Sequence, residues 1–368
     1  MIKIYSSRIL LPVLCLFVLF IVSCKKQSDT LGGSPYVPTP KKIGFYEIDS
    51  AGYKELLMNI SKIGTKSTDY DLVFDTGSGG MVIDANDVVP ASMITNAGFS
   101  FSGDSTIVDG ITITNQTSAI AYGDDDSSRN VVYGNLAYAD VTVGDDNGNV
   151  VVKRLPFFLY YKAVDTQNNM LPAHQFDVLG VSSESDITFS NNVSITSPLS
   201  YYIAGSGLTK GFKIAALGTS NFSKEGTYVP AVTLGLTAAD LGSSGFIMNP
   251  LAYIGGEGYI PVFPGTITVG TVNVLTEMLF DTGTSPYTYI EDDNGPSTLS
   301  SIKPNVRIAI ATSSGFGYSY TTTKTDNLTL IENPQYSGSG VSIIGLDFFT
   351  SNEYLLDFTN NQVGLKNN

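Results

Sequence analysis

The sequence has little of the chemistry that many enzymes depend on. Its 368 residues include no tryptophan, one histidine and two cysteines. His174, the single histidine, offers no convincing Ser-His-Asp triad, and the chain has no His or Cys pairs to build a metal centre. The sequence therefore predicts neither a metal site nor a cofactor, and we interpret His174 as a structural or surface residue.

Positive charge is also scarce. Lysine and arginine number 20 against 34 acidic residues, which gives a formal net charge of −14. Nucleic-acid binders need a basic stripe to meet the phosphate backbone, and none is visible here. Because 42% of the residues are hydrophobic and only 15% are charged, the composition is that of a globular chain.

Both cysteines lie near the start of the chain. Lys3 and Arg8 precede an apolar run over residues 9–22, which is typical of a secretory signal and too short for a spanning helix. The end of this segment, IVSC, resembles the lipobox of bacterial lipoproteins. That resemblance implies removal of residues 1–23 and lipidation of Cys24; a plain signal peptide with an incidental cysteine is the alternative. Cys15 would leave with the signal, so no disulfide is expected in the folded part.

Residues 24–43 are predicted to be the lipidated cysteine followed by a flexible tether rich in Pro, Gly, Ser and Lys. In the sorting rule that the lipoprotein resemblance supplies, Lys25 after Cys24 favours the outer membrane of a bacterial envelope. Whether the protein faces the periplasm or the outside stays open.

From Gly44 onward the pattern is one of many short strands punctuated by turns. GDDNGN, between two apolar runs, predicts a hairpin and lacks the ligand spacing of a calcium loop. Residues 237–245 are interpreted as a loop at a boundary between two lobes, 44–245 and 246–368. Helices are expected to be few and short, with LDFFTSN as one candidate.

One short phrase occurs twice. LVFDTGSGG (72–80) and MLFDTGTSPY (278–287) each place Asp-Thr-Gly after an apolar run, and each continues with a hydroxyl residue, Ser78 or Thr284. A single copy is best explained as a turn at a strand end. Two copies in matching contexts favour two related lobes that each contribute half of one site.

This pattern resembles the pepsin-like aspartic proteases, which carry one Asp-Thr-Gly in each lobe. Further landmarks follow in order from about residue 44 to the end: AIAYG at the position of the family's flap, two hydrophobic-hydrophobic-Gly triplets, and a similar C-terminal segment. The resemblance implies an all-β, bilobal fold of two β-barrel-like lobes with an active-site cleft between them. The matching residues are Tyr122 and Gly123 in the flap, Val178-Leu179-Gly180 and Ile343-Ile344-Gly345.

The chemistry of the two motifs can be argued independently of the resemblance. Peptide hydrolysis needs an activated water and a proton donor for the carbonyl oxygen, and Asp75 and Asp281 provide both if they share one proton. Gly77 and Gly283 let the backbone approach these carboxylates closely. The resemblance further implies that Thr76 and Thr282 bond across the lobe interface, that Ser78 and Thr284 bond the outer carboxylate oxygens, and that Tyr122 closes over an extended substrate.

The leading hypothesis is thus a lipid-anchored, monomeric aspartic endopeptidase acting on extended peptides or proteins. A catalytically silent protein of the same fold that binds peptide or glycan is the alternative, and a β-rich surface lipoprotein with a structural or glycan-binding role is a third. The chain departs from the family in having no Trp near the flap, Gly79-Gly80 after Ser78, and an acidic flap tip in YGDDDSS. Thr284 matches family members that work in acid, and the acidic surface would lose self-repulsion there, so we expect activity in acid.

Overall fold

The computed structural model describes residues 38–123, 129–185 and 187–368. The predicted signal peptide, Cys24, most of the tether and the acidic flap tip at 124–128 lie outside the described residues. Within the part of the chain that the structure describes, none of the helices has the length and apolar character needed to span a bilayer.

Strands dominate these described residues, with two short α-helices among them. The strands in the first part of the chain are β1 Lys41–Ser50, β2 Tyr53–Ile63, β3 Lys66–Asp75, β4 Gly79–Asp84, β5 Ile94–Thr95, β6 Gly98–Phe99, β7 Ser105–Val108, β8 Ile111–Tyr122, β9 Asn130–Asp145, β10 Gly148–Val164, β11 Val178–Val181, β12 Ile187–Thr188, β13 Ser194–Ile195, β14 Thr209–Ile214 and β15 Thr227–Leu236.

The later elements begin with the helix α1, Ala238–Gly242, and include a second helix, α2, Pro334–Ser337. The strands are β16 Ile247–Pro250, β17 Ala252–Ile254, β18 Gly258–Ile260, β19 Val262–Val269, β20 Val272–Phe280, β21 Tyr287–Glu291, β22 Ser300–Ser301, β23 Arg307–Thr312, β24 Gly317–Thr321, β25 Leu328–Glu332, β26 Val341–Ile344, β27 Asn352–Asp357 and β28 Gln362–Asn367. Single 3-10 turns occur at Ala91–Met93, Pro198–Tyr201, Thr219–Asn221 and Leu346–Thr350.

Two large sheets carry the fold. One has 14 strands in the order β16-β28-β27-β14-β15-β1-β2-β3-β11-β4-β10-β9-β8-β7, and the other has eight in the order β22-β25-β21-β26-β20-β19-β23-β24. The last strands of the chain, β27 and β28, belong to the larger sheet, because β27 pairs with β14. Residues 246–368 are therefore joined to the first lobe by backbone hydrogen bonds, and the exact lobe boundary at 245 stays a prediction.

Two local predictions need correction. β1 begins at Lys41, so residues 41–43 form a strand instead of tether, because they pair with β15 in a register that local composition does not reveal. The predicted loop at 237–245 contains α1, which Thr237 and Asp240 start with a reciprocal capping box. The predicted short helix at LDFFTSN is present as a 3-10 helix, Leu346–Thr350, so only its type and its end differ from an α-helix over the whole segment. The hairpin at GDDNGN is confirmed, with β9 and β10 paired on either side of it.

Aromatic packing fixes the two strands that lead into the duplicated motifs. Phe74 and Phe280, the residues before the two aspartates, are both buried. The Phe74 ring lies 5.4 Å from that of Phe45, and the Phe280 ring lies 4.5 Å from that of Phe348. Burial of each ring contributes roughly 1.5–3 kcal/mol, so both lobes hold their motif on a well-packed strand end.

Candidate active site

The two aspartates occupy equivalent places in the two sheets. Asp75 is the last residue of β3 and lies beside Gly180 of the parallel strand β11. Asp281 follows β20, and its backbone N–H donates to the carbonyl of Ile344 on the parallel strand β26 at 2.9 Å. Each motif is thus flanked by one of the two hydrophobic-hydrophobic-Gly triplets.

Each triplet ends in a glycine because no room is left for a Cβ atom at that position. A Cβ on Gly180 would lie 2.8 Å from the carbonyl oxygen of Ser78, and one on Gly345 would lie 2.8 Å from that of Thr284. Any side chain at these positions would push on the loop that carries an aspartate. The triplets therefore support the two loops directly.

Thr76 and Thr282 cross-link the two loops through buried hydrogen bonds. The backbone N–H of Thr76 donates to Thr282 Oγ1 at 3.0 Å, and the reverse bond has the same length. Each hydroxyl in turn donates to a carbonyl of the other lobe, Thr76 to Phe280 at 2.9 Å and Thr282 to Phe74 at 2.7 Å. These four bonds join the two loops and fix the spacing of the two aspartates.

Each carboxylate is held by its own loop in the same way. The N–H of Gly77 donates to Asp75 Oδ1 at 2.7 Å, and that of Gly283 donates to Asp281 Oδ1 at 2.8 Å. The hydroxyls of Ser78 and Thr284 donate to the Oδ2 atoms of Asp75 and Asp281, both at 2.5 Å. The two carboxyls therefore have defined orientations that follow an approximate twofold symmetry.

The carboxyls meet each other across the interface. A Cβ on Gly77 would lie 2.7 Å from Cγ of Asp281, and one on Gly283 would lie 2.9 Å from Cγ of Asp75. Asp281 is 8% exposed. Its pKa is raised well above the usual value by burial, then by the negative charge of Asp75 and a hydrogen bond with it. The two groups, called the carboxyl pair below, thus share one low-dielectric site in which a single proton is favoured over none.

The predicted flap residues lie next to this site. Tyr122 ends β8, which forms a hairpin with β9, and Gly123 follows it with a positive φ of 120°. Tyr122 lines a cavity of about 270 Å³ together with Ser78, whose hydroxyl bonds Asp75. Its ring stacks on Phe176 with centroids 5.4 Å apart and planes 14° apart. Sequence reasoning missed this partner, although Phe176 lies only two residues before the first triplet, Val178-Leu179-Gly180.

His174 has a structural environment, consistent with its interpretation from sequence. Its Nδ1 lies 2.7 Å from Asp177 Oδ2, and its ring stacks on Tyr70 at 4.9 Å. The bond to Asp177 raises the pKa of the histidine. Among the described residues, no group of three or more His, Cys, Asp or Glu side chains is arranged to hold a metal ion.

A second and larger cavity of about 640 Å³ opens beside the Asp281 loop. Gly283, Thr284 and Ser285 form one wall of it, and two glutamates line another, Glu291 and Glu332. These glutamates were not singled out from the sequence. They lie on β21 and β25, and only the parallel register of those strands brings them side by side.

Comparisons with known proteins were made on both sequence and fold. No family model and no curated protein matches the sequence. Among solved structures, the chain is similar to an aspartic proteinase from Irpex lacteus, with a TM-score of 0.57, 16% identity, and coverage of 89% of this chain and 97% of that one. It is also similar to Basic 7S globulin from soybean, with a TM-score of 0.55, 11% identity, and coverage of 89% and 96%. The fold is therefore the all-β, bilobal pepsin-like fold that the sequence predicts.

Proposed function

We propose that the protein is an aspartic endopeptidase that hydrolyses peptide bonds with Asp75 and Asp281. The observation that supports this most directly is the carboxyl pair itself. Two carboxyls face one another at the junction of two lobes, each fixed by two hydrogen bonds from its own loop. A protein that only binds ligands gains nothing from burying two mutually repelling acids at one point.

The proposed reaction uses the pair as a unit. One ionised carboxylate takes a proton from a water molecule held between the two acids while the water oxygen bonds to the carbonyl carbon of the peptide. The other carboxyl gives its proton to the carbonyl oxygen. The tetrahedral gem-diol intermediate then collapses: the carboxyl that took the water proton gives it to the nitrogen, the C–N bond breaks, and the other carboxylate takes a proton from one of the two hydroxyls. A carboxylic acid and an amine leave, and the pair again holds one proton.

The surroundings fit an extended peptide. The flap hairpin of β8 and β9 borders the Asp75 side of the site, and the larger cavity borders the Asp281 side. A strand-like substrate between them would place alternate side chains toward the two cavities. Closure of Tyr122 over such a substrate would exclude water from the reacting bond.

The test is cleavage of an unstructured protein between pH 3 and 7, with and without a pepstatin-type inhibitor. Wild type is expected to cleave and to be inhibited, and Asp75→Asn and Asp281→Asn are expected to lose at least about 10³-fold in rate, because general acid-base catalysis contributes up to roughly 10⁴-fold. Cleavage that persists in Asp75→Asn with native folding would overturn the proposal.

A second candidate function is binding of peptide or glycan without turnover. The likeness to Basic 7S globulin, which is named as a globulin and not as a protease, keeps this candidate in view. Saturable binding of an extended peptide with no cleavage at any pH would favour it over the endopeptidase.

We further propose that the protein is a monomer anchored in a bacterial envelope, most favourably the outer membrane, by lipid on Cys24. The support for the anchor is the sequence alone, through the IVSC segment and the Lys25 that follows it; the monomeric state is an expectation that size-exclusion chromatography with light scattering would test. Incorporation of labelled palmitate into wild type, with its loss and release of soluble protein in Cys24→Ala, is the expected result. Equal membrane association of the two proteins would contradict the anchor.

A further inference from the structure

The larger cavity beside Asp281 has a chemical character of its own. Its wall nearest the carboxyl pair is the Gly283-Thr284-Ser285 segment, and Thr284 is the residue that bonds Asp281 Oδ2. A substrate side chain that enters this cavity therefore belongs to a residue close to the bond being cleaved. The chemistry of the cavity therefore determines which substrate side chain is preferred at that position.

Two glutamates give the cavity a negative charge. Glu291 and Glu332 are partners in the parallel register of β21 and β25, so their side chains lie on the same face of the sheet. Glu291 is 8% exposed, and Ser337 donates to its Oε2 at 2.8 Å. Burial, and then the nearby charge of Glu332, raise the pKa of Glu291, whereas the bond from Ser337 partly opposes this.

No cation in the described part of the chain compensates this charge. The ion pairs among those residues involve other acids, at Asp140, Asp177, Asp240, Asp347 and Glu353. A buried carboxylate without a cationic partner is costly, since burial removes the water that would solvate it. A cationic group of a bound substrate would therefore gain more binding free energy from Glu291 than from an ordinary carboxylate on the surface.

The remaining walls suit a long side chain with a charged tip. Tyr289, Tyr336 and Leu299 contribute rings and an alkyl group to the lining. Lysine and arginine pack their methylene stems on such surfaces while the charged head reaches a polar partner, and aromatic faces attract cations. A bare metal ion would need several converging ligands, and among the described residues no group of three or more His, Cys, Asp or Glu side chains is arranged to hold one.

We propose that this cavity is a subsite that selects a lysine or arginine side chain of the peptide substrate, with Glu291 and Glu332 as its specificity-determining residues. The inference rests on the proposed endopeptidase function, because it assigns that function a substrate class. Substrates are then peptides with a basic residue at one fixed position near the cleaved bond.

The experiment uses matched peptides in which lysine or glutamine is placed in turn at each position around a cleavage site. At one position, wild type is expected to prefer lysine by about tenfold or more in kcat/KM, because a charge-assisted bond in a desolvated site is among the stronger ones. The double variant Glu291→Gln/Glu332→Gln is expected to lose that preference, so that its kcat/KM values for the lysine and glutamine peptides agree within about twofold. The preference should also grow as pH rises through the pKa of Glu291, since only the ionised carboxylate attracts the cation.

Glu277→Gln is the matched control, because Glu277 is an exposed glutamate of the same lobe that does not line the cavity. It should leave the lysine preference unchanged. Absence of any basic preference in wild type, or its survival in the double variant, would overturn the subsite. If no cleavage is found at all, the proposed endopeptidase function fails separately from the subsite. Calorimetry of the lysine and glutamine peptides then tests the subsite: tighter binding of the lysine peptide to wild type, lost in the double variant, would support it, and absence of that difference would overturn it.

Discussion

Thr76 and Thr282 exchange hydrogen bonds of equal length, 3.0 Å in each direction, although 206 residues separate them. Each hydroxyl accepts from the other residue's N–H and donates to a carbonyl of the opposite lobe. The four bonds are buried, so water cannot replace them when one is removed. The relationship makes the geometry of the carboxyl pair depend on both lobes at once.

The first prediction concerns this cross-link. Thr282→Val keeps the shape of the side chain but leaves the N–H of Thr76 and the carbonyl of Phe74 without partners. We expect a loss of about 2–4 kcal/mol in the free energy of unfolding, because each unsatisfied buried group costs roughly 1–3 kcal/mol. Urea denaturation measures it. Thr282→Ser keeps the hydroxyl and should lose about 1 kcal/mol through its missing methyl group; equal losses in the two variants would contradict this account.

The second prediction concerns Gly77. Its backbone does not require a positive φ, but an added Cβ would lie 2.7 Å from the carboxyl carbon of Asp281. Gly77→Ala should therefore displace the Asp281 carboxyl and reduce kcat by roughly 10²-fold, since a shift of about 1 Å at a reacting group has an effect of that size. Peptide cleavage measures kcat, and circular dichroism checks that the fold is retained.

Gly317→Ala is the control for this substitution. Gly317 lies in β24, in the same sheet as the strand β20 that leads to Asp281, and a Cβ there would meet nothing within 4 Å. It should keep wild-type kcat. If Gly77→Ala were equally active, the close approach between Gly77 and Asp281 would not constrain the site.

The candidate site could be predicted in part because the same short motif, which contains the aspartate and the residues that bond it, occurs twice in the sequence. Asp75 and Asp281, with the residues that bond them, fall in two short motifs, and repetition made each motif more informative than it is alone. The Thr237 and Asp240 capping box follows the Thr-x-x-Asp signature of a helix start, which the interpretation of residues 237–245 as a loop did not use.

Other parts depend on pairings that no local pattern contains. Glu332 lies 41 residues after Glu291 (332 − 291), and the two meet only because β21 and β25 pair in parallel. The same holds for the stacking of Tyr122 on Phe176 and for the pairing of β27 with β14. A one-residue change of register would move such side chains to the opposite face, so they become visible only in the folded structure.

The third prediction concerns stability and pH. Glu47 of β1 is 0% exposed, and its carboxyl oxygens make no hydrogen bond of ordinary geometry among the described residues, although the nearby Asn221 side chain partly opposes the effect of burial on its pKa. Burial raises its pKa from 4.5 to about 7. As pH rises, the unfolded chain loses this proton at a lower pH than the folded protein does. Ionised Glu47 thus favours the unfolded state, so the free energy of unfolding decreases as pH rises from about 4.5 to 7.

Glu47→Gln removes this titration. Wild type is expected to lose on the order of 2–3 kcal/mol over that interval from this group, and the variant should show a correspondingly flatter profile. Urea denaturation at half-unit steps of pH measures both proteins. Glu277→Gln, which changes an exposed glutamate, should leave the slope as in wild type. Parallel profiles for wild type and Glu47→Gln would contradict the assignment.

The fourth prediction concerns the alkaline limit of activity. The proposed reaction needs one proton on the carboxyl pair, so activity should fall as pH rises through the raised pKa to which Asp281 contributes. The hydroxyl of Thr284 donates to Asp281 and favours its ionised form, which lowers that pKa against the effects of burial and Asp75. Thr284→Val removes the donor, so the pKa rises and the alkaline limb of kcat/KM moves to higher pH.

The shift is expected to be about one pH unit, because a charge-assisted hydrogen bond is worth roughly 1.5–3 kcal/mol and one unit corresponds to about 1.4 kcal/mol. Profiles of kcat/KM from pH 3 to 8 give the apparent pKa of the pair as a unit. Thr284→Ser keeps the hydroxyl and should keep the wild-type limb. A limb that moves to lower pH in Thr284→Val would mean that this hydroxyl does not favour the ionised carboxylate of Asp281, which would contradict the role assigned to its hydrogen bond.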